Sequence, residues 1–62
     1  GENKMEFIVE GFINNNRDFQ MEFDNEVDAR EEFERRKSSC VEVNLWGKNE
    51  HLDAFNKPFS EG

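Results

Sequence analysis

Catalytic chemistry in this 62-residue chain would have to involve its single cysteine and single histidine. Cys40 beside His51 would form a thiol–imidazole pair, the usual arrangement for a nucleophilic thiol. If each lies on a strand and Trp46 faces His51, Cys40 is six residues along its strand from that partner. Six residues span about 20 Å at about 3.3 Å per residue, which is too far for a dyad. Cys40 is therefore predicted to be a small, semi-buried apolar residue.

Two further groups of side chains could bind a metal ion or transfer protons. They are His51 and Asp53 with Glu42 or Glu50, and the carboxylate pair Glu10 and Glu22. A lone histidine among carboxylates is a weak metal signal, and no cleft follows from the sequence. Cys/His metal spacings, glycine-rich phosphate loops and nucleophile elbows are all missing from the sequence. We therefore expect a protein that is not an enzyme and needs no metal or cofactor.

The composition limits the partners of the chain. Fifteen acidic residues against eight lysines and arginines give a formal charge of −7, whereas dedicated nucleic-acid binders usually have a basic face. No apolar run approaches the roughly 20 residues of a membrane span, and no signal-peptide pattern is present. We expect a cytoplasmic protein that binds neither membranes nor nucleic acid directly.

The first half of the chain predicts a β-hairpin. Residues 5–13 and 17–23 alternate apolar and polar side chains, which is the period of a half-buried strand. Residues 14–16 are three asparagines, a residue type common in turns. Pairing Ile13 with Arg17 would leave a three-residue loop and would place Gly11 opposite the large ring of Phe19. A bulge at Gly11 is the alternative.

A helix over about residues 25–37 follows the hairpin. Asp24 or Asn25 is the predicted N-cap, acids crowd the first turn, and Arg35-Arg36-Lys37 complements the dipole at the end. Three favourably ordered ion pairs are predicted at i,i+4 spacing: Glu26–Arg30, Glu31–Arg35 and Glu32–Arg36. The apolar stripe is thin, so this helix is expected to cover one face of a sheet and to expose the rest to water.

The second half predicts another hairpin, with strands over residues 40–46 and 51–55 and a turn over 47–50. Pairing Leu45 with Leu52 and Val43 with Ala54 keeps one apolar face continuous. The element order predicts an α+β, two-layer ββαββ sandwich: a four-stranded antiparallel sheet ordered 2-1-3-4 with one helix on one face. The domain covers residues 5–56, between a flexible N-terminus at 1–4 and an irregular tail at 57–62.

The predicted core is the set of apolar residues on the helix-covered face. It comprises Met5, Phe7, Val9, Phe19, Met21, Phe23, Val27, Ala29, Phe33, Val41, Val43, Leu45, Leu52 and Ala54.

One helix leaves the second face of the sheet uncovered. Outside residues 26–37 the chain has a net charge of −6, and the predicted uncovered face combines acids with large apolar side chains. Apolar clusters with polar rims often mark interaction sites. The predicted partner-binding residues are Trp46, Phe12, Ile8, Phe55, Glu10, Glu22, Glu42 and Asp53.

The function predicted from this face is non-enzymatic binding of a protein with a basic or mixed surface. A sharper form is inhibition of a basic or nucleic-acid-binding protein. The small acidic chain resembles phage-encoded or mobile-element accessory proteins that inhibit host factors, but the resemblance is one of composition and rests on no motif. The alternative is a structural homodimer or oligomer that buries the same face or the edge of the second strand.

Overall fold

The computed structural model describes residues 5–57 and confirms the predicted architecture. The elements are β1 (Phe7–Ile13), β2 (Asn16–Phe23), α1 (Glu26–Arg36), β3 (Glu42–Gly47) and β4 (Glu50–Asn56). They form an antiparallel sheet ordered β2-β1-β3-β4 with α1 packed on one face. The terminal segments predicted to be flexible or irregular, 1–4 and 57–62, lie outside the described residues except for Lys57. No helix within residues 5–57 has the length and apolar character needed to cross a membrane.

The first hairpin closes more tightly than predicted. Asn14 and Asn15 both have positive φ, 53° and 68°, and form a two-residue turn in which Ile13 pairs with Asn16. Such a turn matches the twist of the flanking strands. The predicted three-residue loop with an Ile13–Arg17 pair is therefore wrong, although the Gly11–Phe19 pair is present. A bulge in β2, which places one extra residue in that strand, allows both the tight turn and the Gly11–Phe19 pair.

The second hairpin repeats this arrangement. Lys48 and Asn49 have φ of 51° and 67°, and Trp46 pairs with His51 as expected. The register then shifts beside Leu45, which leaves Leu52 as the extra residue of a bulge in β4.

This second bulge overturns the predicted pairs of Leu45 with Leu52 and Val43 with Ala54. Leu45 pairs with Asp53 and Val43 with Phe55, so Asp53 and Phe55 lie on the helix-covered face. The predicted place of these two residues on the uncovered face is wrong. Burial explains the difference, because Phe55 packs against the core in this register and Ala54 takes the exposed position.

The helix begins directly after an asparagine N-cap. Asn25 is the N-cap, and its side-chain oxygen accepts a hydrogen bond from the backbone N–H of Asp28 at 2.8 Å. The predicted Glu26–Arg30 pair is present at 2.9 Å, and Arg30 also reaches Asp53 of β4 at 3.3 Å. The backbone N–H of Ala54 lowers the pKa of Asp53; burial opposes this, and Arg30 adds to it.

The core lies between α1 and the two central strands. Phe33, Ala29, Val9, Val43 and Leu45 are fully buried, and Phe7 and Cys40 are nearly so. Four predicted core residues are wrong, because their side chains are exposed: Met5, Val27, Val41 and Ala54. Met5 and Val41 precede their strands, Val27 lies away from the helix face of Ala29 and Phe33, and the β4 bulge turns Ala54 outward.

A buried carboxylate anchors the end of the helix. Glu32 is only 3% exposed and accepts hydrogen bonds from the guanidinium groups of both Arg36 and Arg35. The predicted Glu32–Arg36 pair is thus present, whereas Arg35 pairs with Glu32 and not with Glu31. Burial opposes ionisation of Glu32, but the bonds from Arg36 and Arg35 outweigh it and lower the pKa of Glu32 below its ordinary value.

Replacing this carboxylate should change stability in a pH-dependent way. Glu32→Gln is expected to lower the free energy of unfolding by about 1.5 kcal/mol at neutral pH, the lower end of the range for hydrogen bonds to charged groups. Because the folded-state pKa is lowered, the stabilisation is complete above the unfolded value of about 4.5. It is lost as the pH falls through the folded-state pKa.

Urea unfolding of both proteins from neutral pH to about pH 3 measures this effect. Their unfolding free energies should converge in acid. Glu31→Gln is the matched control, since Glu31 is exposed and makes no ion pair within residues 5–57. A difference between wild type and Glu32→Gln that stays constant with pH would contradict the assignment.

Candidate functional site

The sheet surface opposite α1, called the open face below, consists of three rows of side chains that run across the strands in the order β2-β1-β3-β4. The rows are Glu22–Ile8–Trp46–His51, Gln20–Glu10–Asn44–Ala54 and Arg17–Phe12–Glu42–Asn56. Directly opposed residues in neighbouring strands have Cβ atoms about 4.5–5.5 Å apart, so members of a row contact one another.

Trp46 is held rigidly on the open face. Its ring stacks on that of His51 with centroids 4.5 Å apart and an interplanar angle of 23°. Its indole Nε1–H donates a hydrogen bond to Glu10 Oε1 at 3.0 Å. These contacts fix both the plane and the rotation of the indole, which therefore lies pre-ordered and half-buried.

A chain of polar contacts orients the histidine beside it. The amide Nδ2 of Asn44 donates to Glu42 Oε2 at 3.0 Å, which turns Asn44 Oδ1 towards His51 Nε2, 3.1 Å away. In this arrangement His51 Nε2 is the donor, and the proton position follows from the orientation of the Asn44 amide. The imidazole of His51 therefore supports Trp46 from one side.

Glu10 links the middle row of the open face to the two outer rows. Besides accepting from Trp46, its carboxylate lies 3.6 Å from Arg17, whose guanidinium donates to Gln20 at 2.6 Å. Glu10 is thus already engaged by two side chains of the open face. The carboxylate is a structural link between the rows rather than an unoccupied acid.

A shallow depression of about 650 Å³ opens at the end of the face where Ile8 and Trp46 lie. Its remaining walls are Met5 and Glu6 before β1, and Lys48 and Asn49 from the second turn. Met5 is 52% exposed. The depression therefore combines apolar walls with a charged rim, which suits a side chain that inserts from another molecule.

The structure separates the eight predicted partner-binding residues into three groups. Trp46, Ile8, Glu10 and Glu22 lie together in the first two rows. Phe12 and Glu42 form part of the third row. Phe12 lies about 13 Å from Ile8 along β1. Phe55 and Asp53 lie on the other face, where Lys37 Nζ is 5.4 Å from the Phe55 ring and Arg30 binds Asp53.

Sequence reasoning missed Arg17 on the open face and the part of the rim formed by Met5, Lys48 and Asn49. The first bulge turns Arg17 from the predicted helix side to the position opposite Phe12. The open face is consequently less acidic than predicted, because it gains Arg17 and loses Asp53. The three asparagines of the first turn were the available signal, since asparagine accepts the positive φ of a two-residue turn that pairs Ile13 with Asn16.

The structure separates the two residues of the possible thiol–imidazole pair. Cys40 is buried on the helix-covered face beside Gly11, whereas His51 lies on the open face at the other end of the sheet, so they form no dyad. Residues 5–57 contain no cluster of three or more histidine, cysteine or acidic side chains placed to hold a metal ion.

No protein family model, curated protein or solved structure matches this chain.

Proposed function

We propose that this chain is a non-enzymatic protein-binding module that contacts its partner through the open face. The partner surface is basic or mixed in charge, and a basic or nucleic-acid-binding protein inhibited by the module is the sharper form of the proposal. The observation that carries it is a pre-ordered, half-buried Trp46 beside a depression that residues 5–57 leave uncovered. Tryptophans in such positions are frequent energetic anchors of interfaces.

The charge distribution supports a partner of this kind. The chain has a formal charge of −7, and that charge favours and steers a basic surface. The alternative role, a homodimer or oligomer subunit, is less well supported. A symmetric pairing through the open face would bring its acids together, and both edge strands, β2 and β4, carry bulges that disfavour strand pairing.

Truncating the anchor tests the proposal. Trp46→Ala is expected to weaken binding to the partner at least about tenfold, a typical loss at an interface anchor. It should also lower the melting midpoint, because the stacking is worth about 0.5–1.5 kcal/mol beyond the apolar burial that is lost with it, so circular dichroism must show the variant folded at the assay temperature. Partners retained from a lysate by the immobilised wild-type chain, identified by mass spectrometry, provide the binding assay.

Val27→Ala is the matched control, since Val27 is 67% exposed and lies on α1, away from the open face. Proteins retained by the wild type and by Val27→Ala but lost with folded Trp46→Ala support the proposal. Equal retention by all three chains contradicts it. Sedimentation velocity at two concentrations distinguishes the homodimer, which would appear as a concentration-dependent species.

A further inference from the structure

We propose that the depression beside Trp46 binds an arginine or lysine side chain of the partner, with its aliphatic stem on Ile8 and Trp46 and its cationic head near Glu6 and Glu22. The inference rests on the proposed function and specifies the chemistry of the partner. Some acids of the open face already bind other side chains, and others do not. The inference rests on that difference.

Most charged groups near the centre of the open face have partners. Glu10 binds Arg17 and Trp46, and Glu42 accepts a hydrogen bond from Asn44. Glu6 and Glu22 differ, because within residues 5–57 neither makes an ion pair or a side-chain hydrogen bond. Both are exposed, so their charge is directed outward to solvent or to a partner.

One of these acids lines the depression, and the other lies beside its apolar part. Glu22 lies directly opposite Ile8 in β2, and Trp46 lies on the other side of Ile8 in β3. Glu6 lines the depression two residues before Ile8, a spacing of about 7 Å along the strand. An apolar floor with one carboxylate in its wall and a second beside Ile8 matches the amphipathic form of a long basic side chain.

Other occupants match less well. An acidic segment would approach Glu6, Glu22 and Glu10 against their charge. A second copy of the chain would bring the same acids together across a two-fold axis. Among residues 5–57, Lys48 is the one cation on the rim, and it lies on the turn side of the depression with Asn49, away from Glu22 in β2. The geometry therefore favours a cation on the β1–β2 side of Trp46.

A displayed library of random octapeptides, selected on the immobilised whole chain, tests this inference. We expect selected peptides to share an arginine or lysine, and to lose binding to Trp46→Ala. Synthetic versions should bind the double variant Glu6→Gln with Glu22→Gln about fivefold more weakly, the effect of an exposed ion pair near the upper end of its range. Circular dichroism verifies the fold of each variant.

The control variant is Asp28→Asn with Glu31→Gln, which removes the same charge from exposed positions of α1. It should leave the affinity unchanged, whereas a loss equal to that of the other double variant would indicate a general charge effect and overturn the inference. Selected peptides that need Trp46 but lack a basic residue would overturn it while supporting the proposed function. Peptides that bind Trp46→Ala as well as wild type would count against both.

Discussion

Phe33→Ala should remove most of the stability of this protein. Phe33 is fully buried at the centre of α1 and is among the largest side chains of the core. Truncating a buried phenylalanine costs about 3–5 kcal/mol through lost burial and the cavity that remains. A domain of this size is expected to have a total stability of only about 3–9 kcal/mol.

The expected result is a melting midpoint lower by about 15 °C or more, or a chain unfolded at room temperature. Thermal and urea unfolding followed by circular dichroism measure it. Val27→Ala in the same helix removes a side chain that is 67% exposed, and should change stability by less than about 0.5 kcal/mol. Similar losses in the two variants would show that α1 does not pack through Phe33.

Gly11→Ala is the second substitution with a large expected effect. A Cβ at Gly11 would overlap the ring of Phe19 and would lie 2.8 Å from Cys40 Sγ. The ring cannot move away freely, because the guanidinium of Arg36 lies over it at 4.1 Å. Overpacking of this kind costs about 1–3 kcal/mol, and the loss of the Arg36 contact adds to it.

A double-mutant cycle with Phe19→Leu identifies the cause. Because leucine lacks the ring that meets the new methyl group, Gly11→Ala should cost clearly less in the Phe19→Leu background than in the wild type. Urea unfolding of the four proteins gives the coupling energy. Equal costs in the two backgrounds would mean that the methyl group acts through the backbone and not through Phe19.

The Gly11–Phe19 contact belongs to the part of the fold that the sequence predicted well. Alternation of apolar and polar residues located all four strands, and the charge pattern located the helix. The strand order followed from these elements, because each hairpin pairs its own strands and the helix must cross the sheet. These signals are local or nearly so, which is why a single sequence contains them.

The two bulges could not be derived from alternation. A bulge exchanges the faces of all residues beyond it, so one extra residue in β4 moved Phe55 and Asp53 to the helix side. Whether the β4 bulge forms depends on whether the core buries Phe55 or Ala54. That depends on packing in the assembled core and not on the local sequence. Ile8 and Trp46 lie on the regular central strands, so alternation alone predicted that they share the uncovered face, as they do.

The position of Trp46 gives the protein an intrinsic optical reporter. The chain contains one tryptophan and no tyrosine, so light at wavelengths too long for phenylalanine to absorb excites a single indole. That indole is half-buried on the open face, beside the depression and against the imidazole of His51. Changes in its emission therefore report on the candidate surface itself, without a label and without contributions from the rest of the molecule.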